Sequence, residues 1–163
     1  MKKADYSIFK YLTLYRVFNA TQLYISFILT RIVGKVIQFG KPMSLSIEPT
    51  TACNLACPEC PSGLKQFTRN TGKLQLDFHK TILNHVKSHV FYINYYFQGE
   101  PFLHPEFLTL IEEAKKSKIY TATSTNAHFI SKEKAREIVA SGLDRLIISI
   151  DGLTICRRLF LNS

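Results

Sequence analysis

Three cysteines within eight positions, Cys53-Asn54-Leu55-Ala56-Cys57-Pro58-Glu59-Cys60, have the clearest capacity for chemistry in this chain. A thiolate is the ligand that soft iron and zinc favour, and three on one short loop can grip one inorganic centre. Three is also one too few for a closed four-thiolate site. A cubic [4Fe–4S] cluster held this way keeps one iron without a protein ligand, open to a small molecule. Structural zinc sites instead present paired two-residue spacings and a fourth ligand, and no second pair follows here. A disulfide framework needs an even set of cysteines in an exported chain. The spacing therefore favours a cluster over zinc or unmetallated thiols.

Three further polar groups stand at the ends of apolar runs. Gln98-Gly99-Glu100-Pro101 follows residues 90–97, Ser124-Thr125-Asn126 ends residues 119–124, and Ser149-Ile150-Asp151-Gly152 closes residues 145–150. Backbone can approach a ligand closely at glycine, and proline fixes a turn. Each group alone would also serve as an ordinary turn, because Asn and Ser prefer turns. His104 opens a helix, where a histidine is more simply structural than catalytic.

In this order and at these separations, the motifs resemble the radical SAM enzymes. The signature of that family is C-x3-C-x2-C on the loop after the first strand of a partial (β/α)6 barrel. The resemblance runs over about residues 43–151. It implies that Cys53, Cys57 and Cys60 bind three irons of a [4Fe–4S] cluster, and that S-adenosyl-L-methionine chelates the fourth. Gly99, Glu100 and Pro101 match the family's Gly-Gly-Glu-Pro element, which binds the amino group of that cofactor, with Gln98 replacing the first glycine. Ser124 and Asn126 fall in a segment like the Ser-Thr-Asn-Gly of peptide-modifying and SPASM-type members, with Ala127 in place of glycine. Ser149 and Asp151 stand where the family holds the ribose or methionine carboxylate. Glu59 occupies a position where many members have an aromatic beside the adenine.

The resemblance implies reductive cleavage of S-adenosylmethionine to a 5′-deoxyadenosyl radical, which abstracts hydrogen from a substrate of the peptide or protein kind. It also implies a reducing electron donor such as a flavodoxin or ferredoxin. A non-catalytic fragment that holds iron–sulfur or zinc without turnover is the alternative.

The elements around these residues read as α/β. Residues 44–48 alternate with period two and form the first strand, with the cysteine loop at its C-terminal end. Residues 90–97, 119–124 and 145–150 give three more strands, rich in aromatic and β-branched residues. Between them lie helices: one capped by Asp77 with Phe78, Ile82 and Val86 inward, one with Phe107, Ile111 and Ala114 inward, and one capped by Ser131 with Ile138 and Val139 inward, ended by Gly142. Four βα repeats predict a parallel sheet, with every polar motif on one edge. The expected fold is a partial radical SAM barrel with about four of six βα units.

Residues 5–39 read as two amphipathic helices broken near Asn19-Ala20-Thr21, with Thr21 as N-cap of the second and Gly40-Pro42 as its end. Ile25, Ile28, Leu29, Ile32, Val33 and Val36 recur at three- and four-residue steps. Packing of that stripe on the barrel or on a partner subunit is the expectation, and a membrane surface the alternative.

The chain has 163 residues and a net charge of +9, and residues 1–41 carry Lys2, Lys3, Lys10, Arg16, Arg31, Lys35 and Lys41 against Asp5 alone. No basic run with interleaved aromatics reads as a nucleic-acid surface. Lys10 and Arg16 interrupt any signal-peptide core, and the longest uncharged span is too short to cross a bilayer. A reducing cytoplasm is the expected compartment. The expected organisation is a basic helical segment at 1–41, a barrel core at 42–152 and an atypical tail at 153–163, where Cys156, Arg157 and Arg158 match nothing in the family pattern. The fourth strand then becomes an edge with apolar residues on both faces, prone to association.

Overall fold

A computed structural model describes residues 6–150. A 3₁₀ helix, Tyr6–Tyr11, leads into α1 (Leu14–Val33), followed by β1 (Ser44–Ser46), α2 (Leu76–Val86), β2 (Tyr92–Asn94), α3 (Phe107–Lys116), β3 (Tyr120–Thr125), α4 (Lys132–Ala140) and β4 (Arg145–Ile148). The strands form one parallel sheet in the order β1-β2-β3-β4. In register, Leu45 lies beside Ile93 and Ile93 beside Thr121, while Asn94 lies beside Ala122 and Ala122 beside Arg145. All four strands therefore end at one edge, as the βα repeats require.

Between the sheet and α2 and α3 lies the main core of Leu83, Val90, Ile93, Tyr95, Phe107, Leu110, Ile111, Ala114 and Ile119. Tyr95 and Phe107 meet edge to face with centroids 6.2 Å apart. On the sheet's other face the 3₁₀ helix lays Tyr11 against Tyr120, which stacks on Tyr92. That helix is tied down where Asp144, just before β4, accepts a hydrogen bond from the Tyr11 hydroxyl at 2.5 Å and one from Lys115 at 2.5 Å. Burial alone would raise the Asp144 carboxyl, but hydrogen bonds from Lys115, Tyr11 and the Thr121 N–H outweigh it and hold it below its ordinary value.

Arg16 of α1 is buried, with no carboxylate partner among the described residues. Its guanidinium donates to the backbone carbonyls of Tyr11, Lys118 and Lys87 at 2.7, 2.6 and 2.6 Å. Lys87 and Lys118 follow the C-termini of α2 and α3, where orphan carbonyls and the negative helix end favour a cation. The N-terminal helix therefore closes the sheet edge opposite the cysteine loop.

The N-terminus departs from the sequence expectation. One helix runs through Asn19-Ala20-Thr21, capped by Thr13, whose side chain accepts from the Arg16 N–H, and ended by Gly34 in the left-handed conformation. Thr21 donates to the Val17 carbonyl one turn back, inside the helix. The break expected at Asn19 is absent because Asn19 spends its side chain elsewhere: it donates to the Lys41 carbonyl and accepts from the Lys41 N–H, both at 2.8 Å. Ser26 bonds Phe39 and Thr30 bonds Ile37 in the same way. The helix thus packs through its polar face, and the apolar stripe expected to pack lies in solvent, with Ile32 75% and Val36 89% exposed.

Two smaller corrections concern α2 and α4. In α2 the buried residues are His79 and Leu83, while Phe78 is exposed and the N-cap position belongs to Gln75. In α4, Ser131 caps as expected and Ile138 is buried, but Val139 faces solvent. The α3 core positions are as expected, with Leu110 added.

Candidate functional site

The cysteines occupy a long excursion between β1 and α2, closed at its base like a purse. Leu74 N–H bonds the Pro49 carbonyl at 2.8 Å, the Thr50 hydroxyl bonds the Gly72 carbonyl at 3.0 Å, and Thr51 pairs with Gly72 in both directions. Arg69, on the returning limb, donates to Glu48 at 2.7 Å. The loop starts at the C-terminal end of β1, beside the ends of β2 and β3.

Two glycines set how closely the loop packs. A Cβ on Gly63 would lie 2.5 Å from the Cys57 nitrogen, and one on Gly99 would lie 2.2 Å from the Thr50 carbonyl oxygen. Gly99 also has φ +78°, a left-handed conformation that glycine alone adopts freely. The turn after β2 therefore lies directly on the residues that precede Cys53. The Glu100 N–H completes the contact by bonding the Ala52 carbonyl at 2.7 Å.

Glu100 is 2% exposed, and its carboxylate is a clasp. One oxygen accepts from the Thr125 hydroxyl at 2.7 Å and the Phe102 N–H at 3.2 Å, and the other accepts from the Asn126 N–H at 3.0 Å. The ends of β2 and β3 are held together by these bonds. From β3 the network continues to the cysteine loop: Asn126 donates to Asn54 Oδ1 at 2.9 Å, and Asn54 Nδ2 lies 2.9 Å from His128 Nδ1. A second tie joins the far limb, where the Ser62 hydroxyl donates to Gln98 Oε1 at 2.7 Å and accepts from the Gly99 N–H at 3.0 Å. Gln98 Oε1 also lies 3.8 Å from Cys60 Sγ.

Cys53, Cys57 and Cys60 form no disulfide with one another, and each is half-buried. Burial pushes the Cys53 thiol up; a hydrogen bond from Leu55 opposes this, and the negative charges of Glu100, Cys57 and Cys60 add to it. Among the described residues no three His, Cys, Asp or Glu side chains converge on a point that one metal ion could fill.

Residues 47–158 match the Radical SAM superfamily. The chain belongs to the radical SAM superfamily. Over 114 residues it is 35% identical to the mycofactocin maturase MftC of Mycobacterium tuberculosis, covering 69% of this chain and 28% of that protein. It is 29% identical over 115 residues to the PqqA peptide cyclase of Rhodopseudomonas palustris, covering 70% of this chain and 30% of that one. The chain thus spans less than a third of the length of these relatives. The fold resembles that of BtrN, solved with AdoMet and 2-DOIA, with a TM-score of 0.62 at 18% identity, covering 76% of this chain and 52% of that one. The four-stranded parallel sheet is accordingly part of a radical SAM barrel.

The donor set fits a radical SAM cluster. Three thiols on one half-buried loop, close enough for their charges to repel, offer three soft ligands and leave a fourth position open.

Of the residues expected at the site, Gly99, Glu100, Pro101, Ser124, Asn126 and Ser149 stand with the three cysteines at the C-terminal edge of the sheet. Ser124 and Ser149 meet across β3 and the end of β4 with hydroxyls 3.3 Å apart. Glu100 and Pro101 are buried, while Ser149 is exposed. Asp151 and the tail with Cys156 lie outside the described residues. His104 is structural, as expected: its Nε2 meets the Leu74 carbonyl at 2.8 Å and its Nδ1 accepts from the Glu106 N–H. Sequence reasoning missed Asn54, Ser62, Asn94 and His128. Asn94 had a signal, because strand alternation and register place it on the same sheet face as Ser46 and Ser124. Its buried Oδ1 has no hydrogen-bond partner among the described residues.

Proposed function

We propose that this chain is the cluster-binding portion of a radical SAM enzyme of the peptide-modifying or SPASM type. Cys53, Cys57 and Cys60 would ligate a [4Fe–4S] cluster; Gly99, Glu100, Pro101, Ser124, Asn126, Ser149 and Asp151 would line the S-adenosyl-L-methionine position beside it. The observation that carries this reading is the bond from the Glu100 N–H to the Ala52 carbonyl, which sets the Gly-Glu-Pro turn one residue from Cys53. When bound, such a cluster supplies one electron to S-adenosylmethionine, releasing methionine and a 5′-deoxyadenosyl radical that takes hydrogen from substrate.

The protein's own residues orient and exclude. Asn126, Asn54 and His128 hold one limb of the cysteine loop, and Gln98 and Ser62 hold the other, so both limbs are tied to the ends of β2 and β3. The Glu100 carboxylate, buried and fully bonded, keeps the two strand ends at a fixed separation. Ser124, Ser149 and the Asn94 Oδ1, which has no hydrogen-bond partner among the described residues, offer hydrogen-bonding groups on the sheet face that a polar cofactor would cover.

A peptide or protein substrate is supported by two relatives, one named as a maturase and the other as a peptide cyclase. The test is anaerobic reconstitution, reduction with dithionite and assay for 5′-deoxyadenosine in the presence of S-adenosylmethionine. Formation of 5′-deoxyadenosine that is lost in Cys53→Ser is the expected result. A brown protein that forms none would support the non-catalytic alternative, and a colourless protein with one zinc would exclude both the cluster and its chemistry.

A further inference from the structure

Helix α1 is inside out for a soluble protein. Its buried positions are Arg16, Asn19 and Ser26, and these, with Thr30, make the hydrogen bonds to the rest of the chain. Its solvent side carries Leu14, Phe18, Ile25, Ile28 and Ile32 at helical spacing, with Leu14 93% exposed. Tyr15 and Tyr24 are also exposed on the helix. Helices of globular proteins put the apolar stripe inward, and an exposed contiguous apolar face marks a contact surface.

The charge around this face says what covers it. Residues 6–47 contain no Asp or Glu, while Lys10, Arg31, Lys35 and Lys41 are all exposed. At the N-terminal end of the helix, Lys87, Lys116 and Lys118 line a shallow pocket together with Thr13 and Tyr15. A second copy would bring these cations against their own kind. An anionic bilayer would accept the cations at its phosphates, the tyrosines at the headgroup level and the aliphatic side chains below. The helix is too polar to span: no described helix is long and apolar enough to cross a membrane. It also lies outside residues 47–158, the part shared with the family, and it docks at the sheet edge opposite the cysteine loop.

We propose that α1 seats this protein on an anionic membrane surface, lying in the plane of the interface with the cysteine edge of the sheet away from the lipid.

The test is co-sedimentation of the full chain with vesicles of phosphatidylcholine alone and of phosphatidylcholine with phosphatidylglycerol. Binding to the anionic vesicles, weakened by salt and weaker on neutral ones, is expected. Arg31→Glu and Lys35→Glu should each lower the partition coefficient about fivefold or more, and the double variant Ile25→Glu/Ile32→Glu should abolish binding. All four residues are exposed, so helical circular dichroism should stay unchanged and serve as the folding control. Absence of binding, or equal binding to both vesicle types, would overturn the proposal. So would a dimer that Ile25→Glu/Ile32→Glu dissociates without lipid, which would make a second copy the occupant. Loss of vesicle binding in a longer gene product carrying this sequence would likewise overturn it, because the face would then be covered by the protein itself.

Discussion

At Gly99 a single hydrogen decides how the site is assembled. A Cβ there would sit 2.2 Å from the Thr50 carbonyl oxygen, and the left-handed φ of +78° adds strain for any other residue. Backbone would have to retreat on both sides, pulling the turn after β2 off the residues that precede Cys53. Gly99→Ala should therefore cost about 3 kcal/mol or more of stability, read as a lowered urea midpoint, and should lower iron uptake in step. A variant with unchanged midpoint and full iron content would contradict the close approach. The neighbouring Gln98 differs from the family glycine, and its side chain supplies a contact glycine lacks, the bond to Ser62 that braces the limb carrying Cys60. That the cysteine loop and the Gly-Glu-Pro turn share one sheet edge was legible in the sequence, because each directly follows a strand of a βα repeat. Asn54, Ser62 and His128 were not, since each acts through a partner 36 to 74 positions away that local pattern cannot disclose.

At the scale of elements, a helix whose fully buried positions are all polar is held by a buried cation. Arg16 spans the C-terminal ends of α2 and α3 with bonds to Lys87 and Lys118, and its burial lowers the guanidinium from its ordinary value. Arg16→Met keeps most of the side-chain volume but strands those carbonyls. The expected loss is about 2–4 kcal/mol, measured by denaturant unfolding, with protease cleavage appearing between the 3₁₀ helix and α1. An unchanged unfolding curve would show that the carbonyls are satisfied otherwise. The strands were legible because period-two alternation and βα spacing are local signals, and β1 to β4 appear in the expected order, with β1, β2 and β4 shorter than read and β3 shifted by one residue. The polarity of α1 was not legible. Periodicity marks an apolar stripe but does not say which side faces the protein, and here Asn19, Ser26 and Thr30 take the inner side by bonding the extended segment 37–41.

For the molecule as a whole, the core carries its own pH dependence. His79 is buried between α2 and the sheet with Nε2 2.7 Å from the Tyr95 hydroxyl, and desolvation lowers it from 6.5 to about 4. The folded state therefore resists protonation more than the unfolded chain does. Its contribution is fully present above pH 6.5 and is lost progressively as the pH falls from 6.5 towards 4, up to about 3 kcal/mol. The drop in urea midpoint over that interval should shrink in His79→Leu, and an equal drop in both proteins would remove His79 as the cause. Among the described residues β4 pairs only with β3, and Ile148 and Ile150 are exposed along it.

A metal count after anaerobic reconstitution decides whether the three thiolates hold a cluster with one iron left open. About four irons and four sulfides per chain are expected, with an electron paramagnetic resonance signal in the reduced state that changes when S-adenosylmethionine is added. Cys53→Ser, Cys57→Ser and Cys60→Ser should each abolish both. A chain that takes up no iron, or one whose iron content and spectrum are the same after any of these three substitutions, would contradict that ligation.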